Sequence, residues 1–344
     1  MNKKRVGIIG ATGYTGSELV RILLHHPQVE ITAITSESRK GEKFSDVHGF
    51  FRNIFDLELS SIKAIDSDEL DIVFLALPHG VSMDFVKTHA DKNYPIIDLS
   101  GDFRLSSAKV YESWYQKDHV FKAGFEHAGY GIPELYRKTL KNKKLIANPG
   151  CFPTGAILGI APLQANNLIE ERIIVDSKTG VTGAGIKAKE VTHFPNANDN
   201  FKAYGIKTHR HTIEIEENMH RLGSTSAKVQ FTPHLLPVDR GIISTIYTQP
   251  KSGVDTGKIV KYYKEFYQEE PFIRLVDTSP ELKDVRGTNY CDIFVTFDER
   301  TNNIITITAI DNLVRGAAGQ AVQNMNVLFD WPEPTGLHQI PLKP

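Results

Sequence analysis

The sequence predicts an α/β protein with a doubly wound parallel sheet, followed by an α+β domain with a largely antiparallel sheet. Apolar runs alternate with helical patterns over the first 150 residues, and a glycine-rich turn follows the first run. Later runs show partial alternation of polar and apolar residues instead. We therefore expect domains at 1–150 and 151–315, with segment 316–344, including a helix over Gly319–Phe329, packing back on the first.

The strands predicted in the first domain are short and rich in valine and isoleucine. Several are unbroken apolar stretches, as expected for parallel strands that are covered on both faces. They are Arg5–Ile9, Glu30–Thr35, Asp71–Leu77, Pro95–Leu99 and Lys144–Ala147. Helices are predicted at Tyr14–His26, which Pro27 stops, and at Val81–Ala90. This alternation predicts the doubly wound sheet.

The strands predicted in the second domain connect through loops and a few helices. They are Arg172–Asp176, Ala227–Thr232, Gly241–Thr248, Asp292–Phe297 and Asn303–Ile310. The last alternates most clearly, so we expect Ile305, Ile307 and Ala309 to face the core, with Thr306 and Thr308 on the opposite face.

Charge and cysteine content exclude several function classes. The 40 Lys and Arg residues against 41 Asp and Glu residues give a net charge of −1, which offers no basic field for nucleic acid or a membrane surface. Two cysteines cannot form a disulfide framework, which indicates a reducing compartment. The chain enters a strand at once and has no long apolar run. We expect a cytoplasmic protein.

The glycine-rich turn after the first predicted strand indicates a dinucleotide site of the Rossmann type. Glycines there let the backbone approach a pyrophosphate, which rests on the N-terminus of the following helix. The candidate cofactor-binding residues are Gly10, Thr12, Gly13, Tyr14, Thr15 and Gly16. The spacing is G-x-x-G-x-x-G, with threonine where the commoner pattern has glycine. The alternative is a tight turn that binds nothing.

The end of the second predicted strand favours NADP over NAD. NAD enzymes usually place an acid there to hold the ribose hydroxyls, whereas NADP enzymes supply donors and positive charge for the 2′-phosphate. Ser36, Ser38, Arg39 and Lys40 form a plausible phosphate cradle, although Glu37 argues the other way. The alternative is a solvated charge cluster.

Cys151 is the candidate nucleophile. It lies in Asn148-Pro-Gly-Cys-Phe-Pro-Thr154, between a short apolar strand and a run that is predicted to be helical. At a helix start, unpaired N–H groups and the positive end of the helix dipole favour thiolate over thiol. Pro149 and Gly150 predict a sharp turn that would push the sulfur into a cleft. The alternative is a small buried cysteine used for packing.

Loops at the carboxyl ends of the strands carry further candidates. Pro78 would let the backbone pass close to the nicotinamide side of the cofactor. A later loop offers Ser100 and Arg104 as substrate ligands, because the planar guanidinium fork of arginine matches phosphate. The alternative for Arg104 is a salt bridge to Asp98 or Asp102.

Histidines at the start of a probable helix supply candidate acid/base groups. His209 and His211 both have a titration range suited to neutral pH, and either could serve. Glu214 lies about one helical turn beyond His211, where it would orient that ring.

Two other segments of the second domain carry candidates. Lys178 ends a strand before a glycine-rich loop that includes Gly183 and is suited to fold over a ligand. Arg240 either binds substrate or caps its loop. Cys151 and Cys291 have no close His or Cys partners with zinc spacing, so we expect no metal site.

Motifs along almost the whole chain resemble the N-acetyl-gamma-glutamyl-phosphate reductases of arginine biosynthesis. The wider group includes aspartate-semialdehyde and glyceraldehyde-phosphate dehydrogenases. The motifs are Gly10–Gly16 with Glu18-Leu19, Asp98-Leu-Ser-Gly-Asp-Phe-Arg104, Tyr130-Gly-Ile-Pro-Glu134, Asn148–Thr154, the loop ending at Gly185, His209-Arg-His211, Arg240-Gly241, Arg286-Gly-Thr-Asn-Tyr-Cys-Asp292 and Asp311-Asn-Leu-Val-Arg-Gly-Ala-Ala-Gly-Gln320.

The resemblance implies a glyceraldehyde-phosphate-dehydrogenase-like fold and an NADPH-dependent reductase of a small acyl phosphate. It implies Cys151 as nucleophile, His211 rather than His209 as acid/base, and Asn312 near the cofactor. It also implies a homo-oligomer, dimeric or tetrameric, in which 1–150 binds dinucleotide and 151–315 carries catalysis and oligomerisation.

The chain departs from the family pattern at two positions. The family often has proline where this chain has Ile213, and arginine where it has Ile186. Lys187 or Lys189 would then have to hold the distal end of the substrate. The sequence leaves the acyl cap open between acetyl and succinyl.

Two rival functions stay open on the sequence alone. One is a related enzyme that acts on another acyl phosphate, such as aspartyl phosphate or the aminoadipate analogue. The other is a regulator that senses NADPH without turning it over, although such a protein has no need of a thiol mounted on a turn.

Overall fold

A computed structural model describes residues 2–64 and 69–343; the predicted spans 1–150 and 316–344 therefore include a few residues outside the described part. The strands are β1 (Lys4–Ile9), β2 (Val29–Thr35), β3 (Ile72–Leu75), β4 (Ile96–Asp98), β5 (Ala128–Tyr130), β6 (Leu145–Ala147), β7 (Ile169–Thr179), β8 (Lys202–Ala203), β9 (Lys228–Leu235), β10 (Ile242–Pro250), β11 (Ile273–Leu275), β12 (Cys291–Asp298) and β13 (Asn303–Ile310).

The helices vary from single turns to a buried helix of four turns. They are α1 (Tyr14–Leu23), α2 (Phe44–Val47), α3 (Ser82–Thr88), α4 (Ala108–Tyr115), α5 (Gly124–His127), α6 (Pro133–Leu140), α7 (Cys151–Ala165), α8 (Phe194–Ala197), α9 (His211–Arg221), α10 (Ile259–Phe266) and α11 (Gly319–Leu328).

The chain divides into two compact units. The first runs up to Pro149 and takes in Ala317–His338, and the second comprises Gly150–Gly316 and the residues from Gln339 on. The chain therefore leaves the first unit immediately before the α7 turn and returns to it shortly before α11.

The first unit contains a parallel sheet in the order β2-β1-β3-β4-β6-β5. Its central strands are buried because apolar side chains occupy both faces; all four residues of β3 are fully buried. The predicted doubly wound sheet is confirmed. The sequence analysis did not find β5, whose three residues include a glycine and carry too little pattern to be recognised.

Helix α1 is shorter than predicted, ending at Leu23 rather than His26. His25 and His26 continue as tight turns, and the His26 ring lies 3.0 Å from Asn326 Oδ1 through its Nε2. The predicted end rested on Pro27, but the helix ends three residues before His26, whose ring is buried against Asn326 of α11.

The second unit contains a mixed sheet in the order β11-β12-β13-β10-β7-β9-β8. Antiparallel pairs predominate through its centre, and the parallel pairs are β11–β12 and β7–β9. This agrees with the predicted, largely antiparallel sheet.

The predicted orientation of β13 is wrong. Thr306 and Thr308 are almost fully buried, whereas Ile305 and Ile307 are only half-buried on the opposite face. Helices α7 and α10 cover the threonine face; the Tyr263 hydroxyl of α10 lies 3.1 Å from Thr306 Oγ1. Hydroxyls can be buried there because they have partners, and the isoleucines line a face that these helices leave open.

Helix α7 is apolar around its whole circumference, so it is buried along nearly all its length. Gly155 and Gly159 let it approach β13 closely: a Cβ at Gly159 would lie 2.8 Å from Thr308 Cγ2. This close packing fixes the end of the helix where Cys151 lies.

Candidate active site

In the first unit, the glycine-rich turn has the shape of an anion cradle. Gly10 has φ +86°, and a Cβ there would lie 2.6 Å from the Ala76 carbonyl oxygen. A Cβ at Gly16 would lie 2.5 Å from the Gly10 oxygen, whereas one at Gly13 would meet only that oxygen, at 3.9 Å. No side chain caps the N-terminus of α1. The turn fits a bound pyrophosphate, with Thr12, Tyr14 and Thr15 partly exposed along it.

The end of β2 presents donors rather than an available carboxylate. Ser38, Arg39 and Lys40 are exposed, and Ser36 Oγ lies 3.0 Å from Thr12 Oγ1. Glu37 accepts hydrogen bonds from the Ile62 N–H at 2.8 Å and from the Ser61 hydroxyl at 3.2 Å. Glu37, the acid that favours NAD in the sequence analysis, is thus hydrogen-bonded to Ser61 and Ile62.

The Asp102 carboxylate stabilises the loop around Pro78. Pro78 itself is exposed, and Asp102 accepts hydrogen bonds from the Gly80 N–H at 2.7 Å and the Met83 N–H at 3.1 Å. The Lys117 ammonium donates to the Gly80 carbonyl at 2.7 Å. The loop is therefore anchored on both sides of its backbone.

Ser100 is buried and bonded to Asp98, so the structure does not present its hydroxyl on the surface. Its N–H and its hydroxyl donate to the two Asp98 oxygens at 2.9 and 2.8 Å. Burial raises the pKa of Asp98 to about 6, and the nearby Asp102 charge adds to the increase. The predicted substrate role of Ser100 has no geometric support in the first unit.

Arg104 is buried and donates to main-chain carbonyls. Its Nε bonds the Asn148 oxygen at 2.7 Å and its Nη2 bonds the Leu99 oxygen at 2.8 Å. The sequence analysis predicted either a bound substrate anion or a salt bridge to Asp98 or Asp102, and it did not predict these carbonyl acceptors. The Asn148 side chain also receives a hydrogen bond from Asn324 at 3.0 Å. These contacts fix the residue that opens the Asn-Pro-Gly-Cys turn.

In the second unit, Cys151 is the first residue of α7 and is partly exposed. The N-cap is Gly150, no side chain caps the helix there, and the positive end of the helix dipole lies at Cys151. Glu214 is buried and accepts the Gly150 N–H at 2.8 Å. Glu214 therefore has a direct bond to the turn that carries the thiol.

His209 and His211 lie side by side with their ring centroids 4.8 Å apart, and each contacts the Phe152 ring. His209 Nδ1 accepts the His211 N–H at 3.2 Å, so the proton of the neutral His209 ring is on Nε2. Burial lowers the pKa of His209 to about 4, with a smaller contribution from the Arg210 charge. His209 is therefore neutral at pH 7.

Tyr204 is a residue of this cluster that the sequence analysis missed. Its ring centroid is 5.6 Å from that of His209. Burial raises the phenol pKa, and the Cys151 charge adds to this increase, so the hydroxyl stays protonated. A tyrosine five residues before His209 carries no spacing signal by itself, which explains the omission.

The remaining predicted residues of the second unit are already engaged in local bonds. Lys178 pairs with Asp176 at 3.2 Å, and Arg240 lies 3.5 Å from Asp311. Asn312 accepts the Gly241 N–H at 2.8 Å and donates to the Thr182 hydroxyl at 3.0 Å. Gly183 is exposed at the tip of the loop. Asn312 thus ties the glycine-rich loop to the Arg240 loop.

Among residues 2–64 and 69–343, no group of three or more His, Cys, Asp or Glu side chains is placed to hold a metal ion. Nor does that part contain a helix long and apolar enough to cross a membrane.

The two units match two family models. Residues 5–143 match the model described as semialdehyde dehydrogenase, NAD binding domain, and residues 151–312 match the one described as semialdehyde dehydrogenase, dimerisation domain. The chain is also 51% identical over 338 residues to the N-acetyl-gamma-glutamyl-phosphate reductase of Methanococcus maripaludis strain C5, covering 97% of this chain and 98% of the relative. The chain belongs to the N-acetyl-gamma-glutamyl-phosphate reductase family.

Other members of the family are similar over the same length. The Methanocaldococcus jannaschii protein is 49% identical over 343 residues, 99% of this chain and 100% of the relative. That of Desulforudis audaxviator is 46% identical over 337 residues, 97% of each. The resemblance drawn from the motifs is confirmed.

Solved structures of semialdehyde dehydrogenases share the fold of this family member. Aspartate semialdehyde dehydrogenase II of Vibrio cholerae has a TM-score of 0.75 at 18% identity, covering 96% of this chain and 99% of the other. The Candida albicans enzyme with NADP has a TM-score of 0.73 at 17% identity, with coverage of 95% and 99%. These likenesses confirm the predicted two-domain, glyceraldehyde-phosphate-dehydrogenase-like architecture.

The two departures from the family pattern lie in different surroundings. Ile186 is half-exposed in the loop after Gly185, where the ammonium of Lys189 donates to the Ala184 carbonyl at 2.9 Å. Lys189 thus stabilises the loop backbone. Ile213 lies in the first turn of α9, where proline would also be compatible with a helix.

Proposed function

We propose that the protein reduces N-acetyl-L-glutamyl 5-phosphate to N-acetyl-L-glutamate 5-semialdehyde and phosphate, using NADPH, in arginine biosynthesis. Family membership supports this assignment, and the observation that carries it in the structure is Cys151 at the uncapped N-terminus of a buried helix, beside two histidines. A regulator that only senses nucleotide would need none of this arrangement.

The first unit supports NADPH as the cofactor. Gly10, Gly13 and Gly16 form a cradle that leaves space over the N-terminus of α1, and we assign the pyrophosphate to it. Arg39, Lys40 and the serines at the end of β2 would hold the 2′-phosphate, because Glu37 is bonded to Ser61 and Ile62. When bound, NADPH supplies the hydride for the reduction.

The second unit supports covalent catalysis. The Cys151 thiolate attacks the acyl carbon, phosphate leaves, and a thioester forms. Main-chain N–H groups at the start of α7 stabilise the oxyanion, an effect of about 3 kcal/mol per donor in comparable sites. After reduction, the thiohemiacetal on Cys151 collapses to the aldehyde and the free thiol.

The two histidines have different roles in this proposal. We assign the proton transfer to His211, the histidine that the family resemblance implies as acid/base. His209, with its pKa lowered to about 4, remains neutral and offers its Nε2 proton as a hydrogen-bond donor. Glu214 orients Gly150 by accepting its N–H. Arg104 orients Asn148 by donating to its carbonyl oxygen, and in this proposal it also contacts the departing phosphate.

The second unit carries a dimerisation domain, and we propose that the protein forms a dimer or tetramer. The support is an open sheet face on which Ile174, Tyr247, Phe294, Ile305 and Ile307 are only partly covered. We further assign dinucleotide binding to 1–150 with the returning segment, and catalysis and oligomerisation to 151–315. A cytoplasmic location fits a reductase that needs a free thiol.

A steady-state assay tests the proposal directly. The purified protein should oxidise NADPH in the presence of N-acetyl-glutamyl phosphate, and faster than with the N-succinyl, aspartyl or aminoadipyl phosphates. Cys151→Ala should abolish turnover while NADPH binding survives, with Cys291→Ala as the matched control because that thiol is buried in β12. Turnover by Cys151→Ala would refute the mechanism, and preference for another acyl phosphate would refute the substrate.

A further inference from the structure

A turn of π-helix follows β13 and lies against the nucleophile. It spans Val314–Ala318, and a Cβ at Gly316 would lie 2.7 Å from Cys151 Cβ and 3.1 Å from Cys151 Cα. Turns of this kind are rare and concentrate at functional sites. The position of this turn therefore determines how closely the main chain at Gly316 packs against Cys151.

Asp311 fixes the start of the turn. Its carboxylate is fully buried, and Oδ1 accepts the Leu313 N–H at 2.8 Å and the Val314 N–H at 3.0 Å. Its main-chain oxygen accepts the Gly316 N–H at 2.9 Å. One residue thus holds both the beginning of the turn and the glycine that contacts Cys151.

The second carboxylate oxygen faces different groups. Asp311 Oδ2 accepts the Gly287 N–H at 2.7 Å and lies 3.5 Å from Nη1 of Arg240. The Arg240 side chain is paired with Asp311 and keeps 22% of its surface exposed to solvent. A fixed, partly exposed guanidinium is suited to binding an anionic phosphate.

We propose that Asp311 is a positioning residue for the reaction. It holds the Arg240 guanidinium in position to bind the phosphate of the acyl phosphate. It also fixes the π-helical turn that packs against Cys151. The inference rests on the function proposed above and adds to it a ligand for the phosphate and the residue that orients that ligand.

Asp311→Asn separates the two halves of this role. The amide oxygen of the asparagine can still accept the N–H groups of Leu313 and Val314. Its NH2 group, however, faces the Gly287 N–H and the Arg240 guanidinium, which are also donors, so the bonds to both are lost. Asp292→Asn is the matched control, because Asp292 is also a buried acid of the same unit and is in register with Ala309 near Asp311, but its carboxylate is bonded to Arg274 at 2.6 Å.

Three measurements test the proposal: the KM for the acyl phosphate, the inhibition constant of inorganic phosphate, and the rate of Cys151 alkylation by iodoacetamide against pH. For Asp311→Asn we expect the first two to rise about tenfold, the loss of one charge-assisted contact, with alkylation within about threefold of wild type. Gly316→Ala should show the converse, with slow alkylation and low kcat but an unchanged phosphate constant. Asp292→Asn should alter none of the three.

Arg240→Lys is the second variant, and it keeps the test valid if Asp311→Asn does not fold. It should weaken phosphate inhibition about tenfold by itself, and adding Asp311→Asn should weaken it little further. An unchanged phosphate constant in Arg240→Lys or Asp311→Asn would overturn the proposal, as would an equal effect from Asp292→Asn. If the wild-type protein fails to reduce the acyl phosphate, the proposed function falls instead, whatever the variants do.

Discussion

Replacing glycines of the cofactor turn by alanine should separate folding from binding. In Gly16→Ala the new methyl would lie 2.5 to 2.7 Å from the Gly10 oxygen and from the Ala11 oxygen and carbon. These are main-chain atoms of the same tight turn and cannot swing aside. In Gly13→Ala the methyl would meet only the Gly10 oxygen, at 3.9 Å, and φ is −76°, so the apo fold accepts it.

The magnitudes follow from these distances. Overpacking of this kind costs about 1–3 kcal/mol, and alanine regains up to about 1 kcal/mol of helix propensity within α1. These bounds leave a net loss of about 0–3 kcal/mol for Gly16→Ala, and the middle value of about 1.5 kcal/mol lowers Tm by about 3–6 °C in a unit of this size. Gly13→Ala should leave the apo Tm within about 1 °C but raise the Kd for NADPH about tenfold, because its methyl occupies the space assigned to the pyrophosphate.

Thermal unfolding with and without NADPH, together with a fluorescence titration of the cofactor, measures both quantities. Equal apo Tm values for the two variants would refute the steric argument. Normal NADPH affinity in Gly13→Ala would refute the assignment of the pyrophosphate to this turn.

Substitutions at four other residues test single features of the site. Glu214→Ala leaves the buried Gly150 N–H without its acceptor and should lower kcat at least about tenfold, whereas Glu214→Gln, which keeps an acceptor oxygen, should retain most of it. Glu37→Gln should change the ratio of NADPH to NADH affinity by less than about threefold, and a tenfold change would mean that this acid reaches the cofactor. The pKa of His209 is lowered from 6.5 to about 4, so its contribution to stability is complete above pH 6.5 and is lost as pH falls to 4. The unfolding free energy of wild type relative to His209→Gln should therefore fall by up to about 3 kcal/mol between pH 7 and 4, and a flat difference would contradict the burial argument. The value of kcat should fall far more in His211→Gln than in His209→Gln, and the opposite ranking would assign the acid/base role to His209.

Much of the fold could be predicted because long apolar runs specify buried parallel strands. The strands at Asn303–Ile310 and around Val6 were found within a residue or two of their ends. Cys151 could be found because a strand, a Pro-Gly turn and a helix start occur together around it. These signals come from residues close together in the chain, so a single sequence is enough to recognise them.

What could not be predicted depends on partners distant in the chain. The inward face of β13 was assigned wrongly because a threonine is buried only if a remote group, here Tyr263, satisfies its hydroxyl. The sequence did not show that Arg104 donates to carbonyl oxygens 44 and five residues away in the chain. Tyr204 carries no spacing pattern, and Asp311 opens a family motif, but the role proposed for it is recognised only from its contacts.

The return of α11 to the first unit has a consequence for synthesis of the chain. Its amides satisfy groups that earlier elements leave open: Gln320 and Asn324 both donate to the Gly131 carbonyl at 2.9 Å. On a ribosome, the amino-terminal part emerges first but lacks these donors until residues 317–338 have left the exit tunnel. Nascent chains that stop before Ala317 should therefore remain protease-sensitive over the residues up to Pro149, however completely the intervening unit has folded.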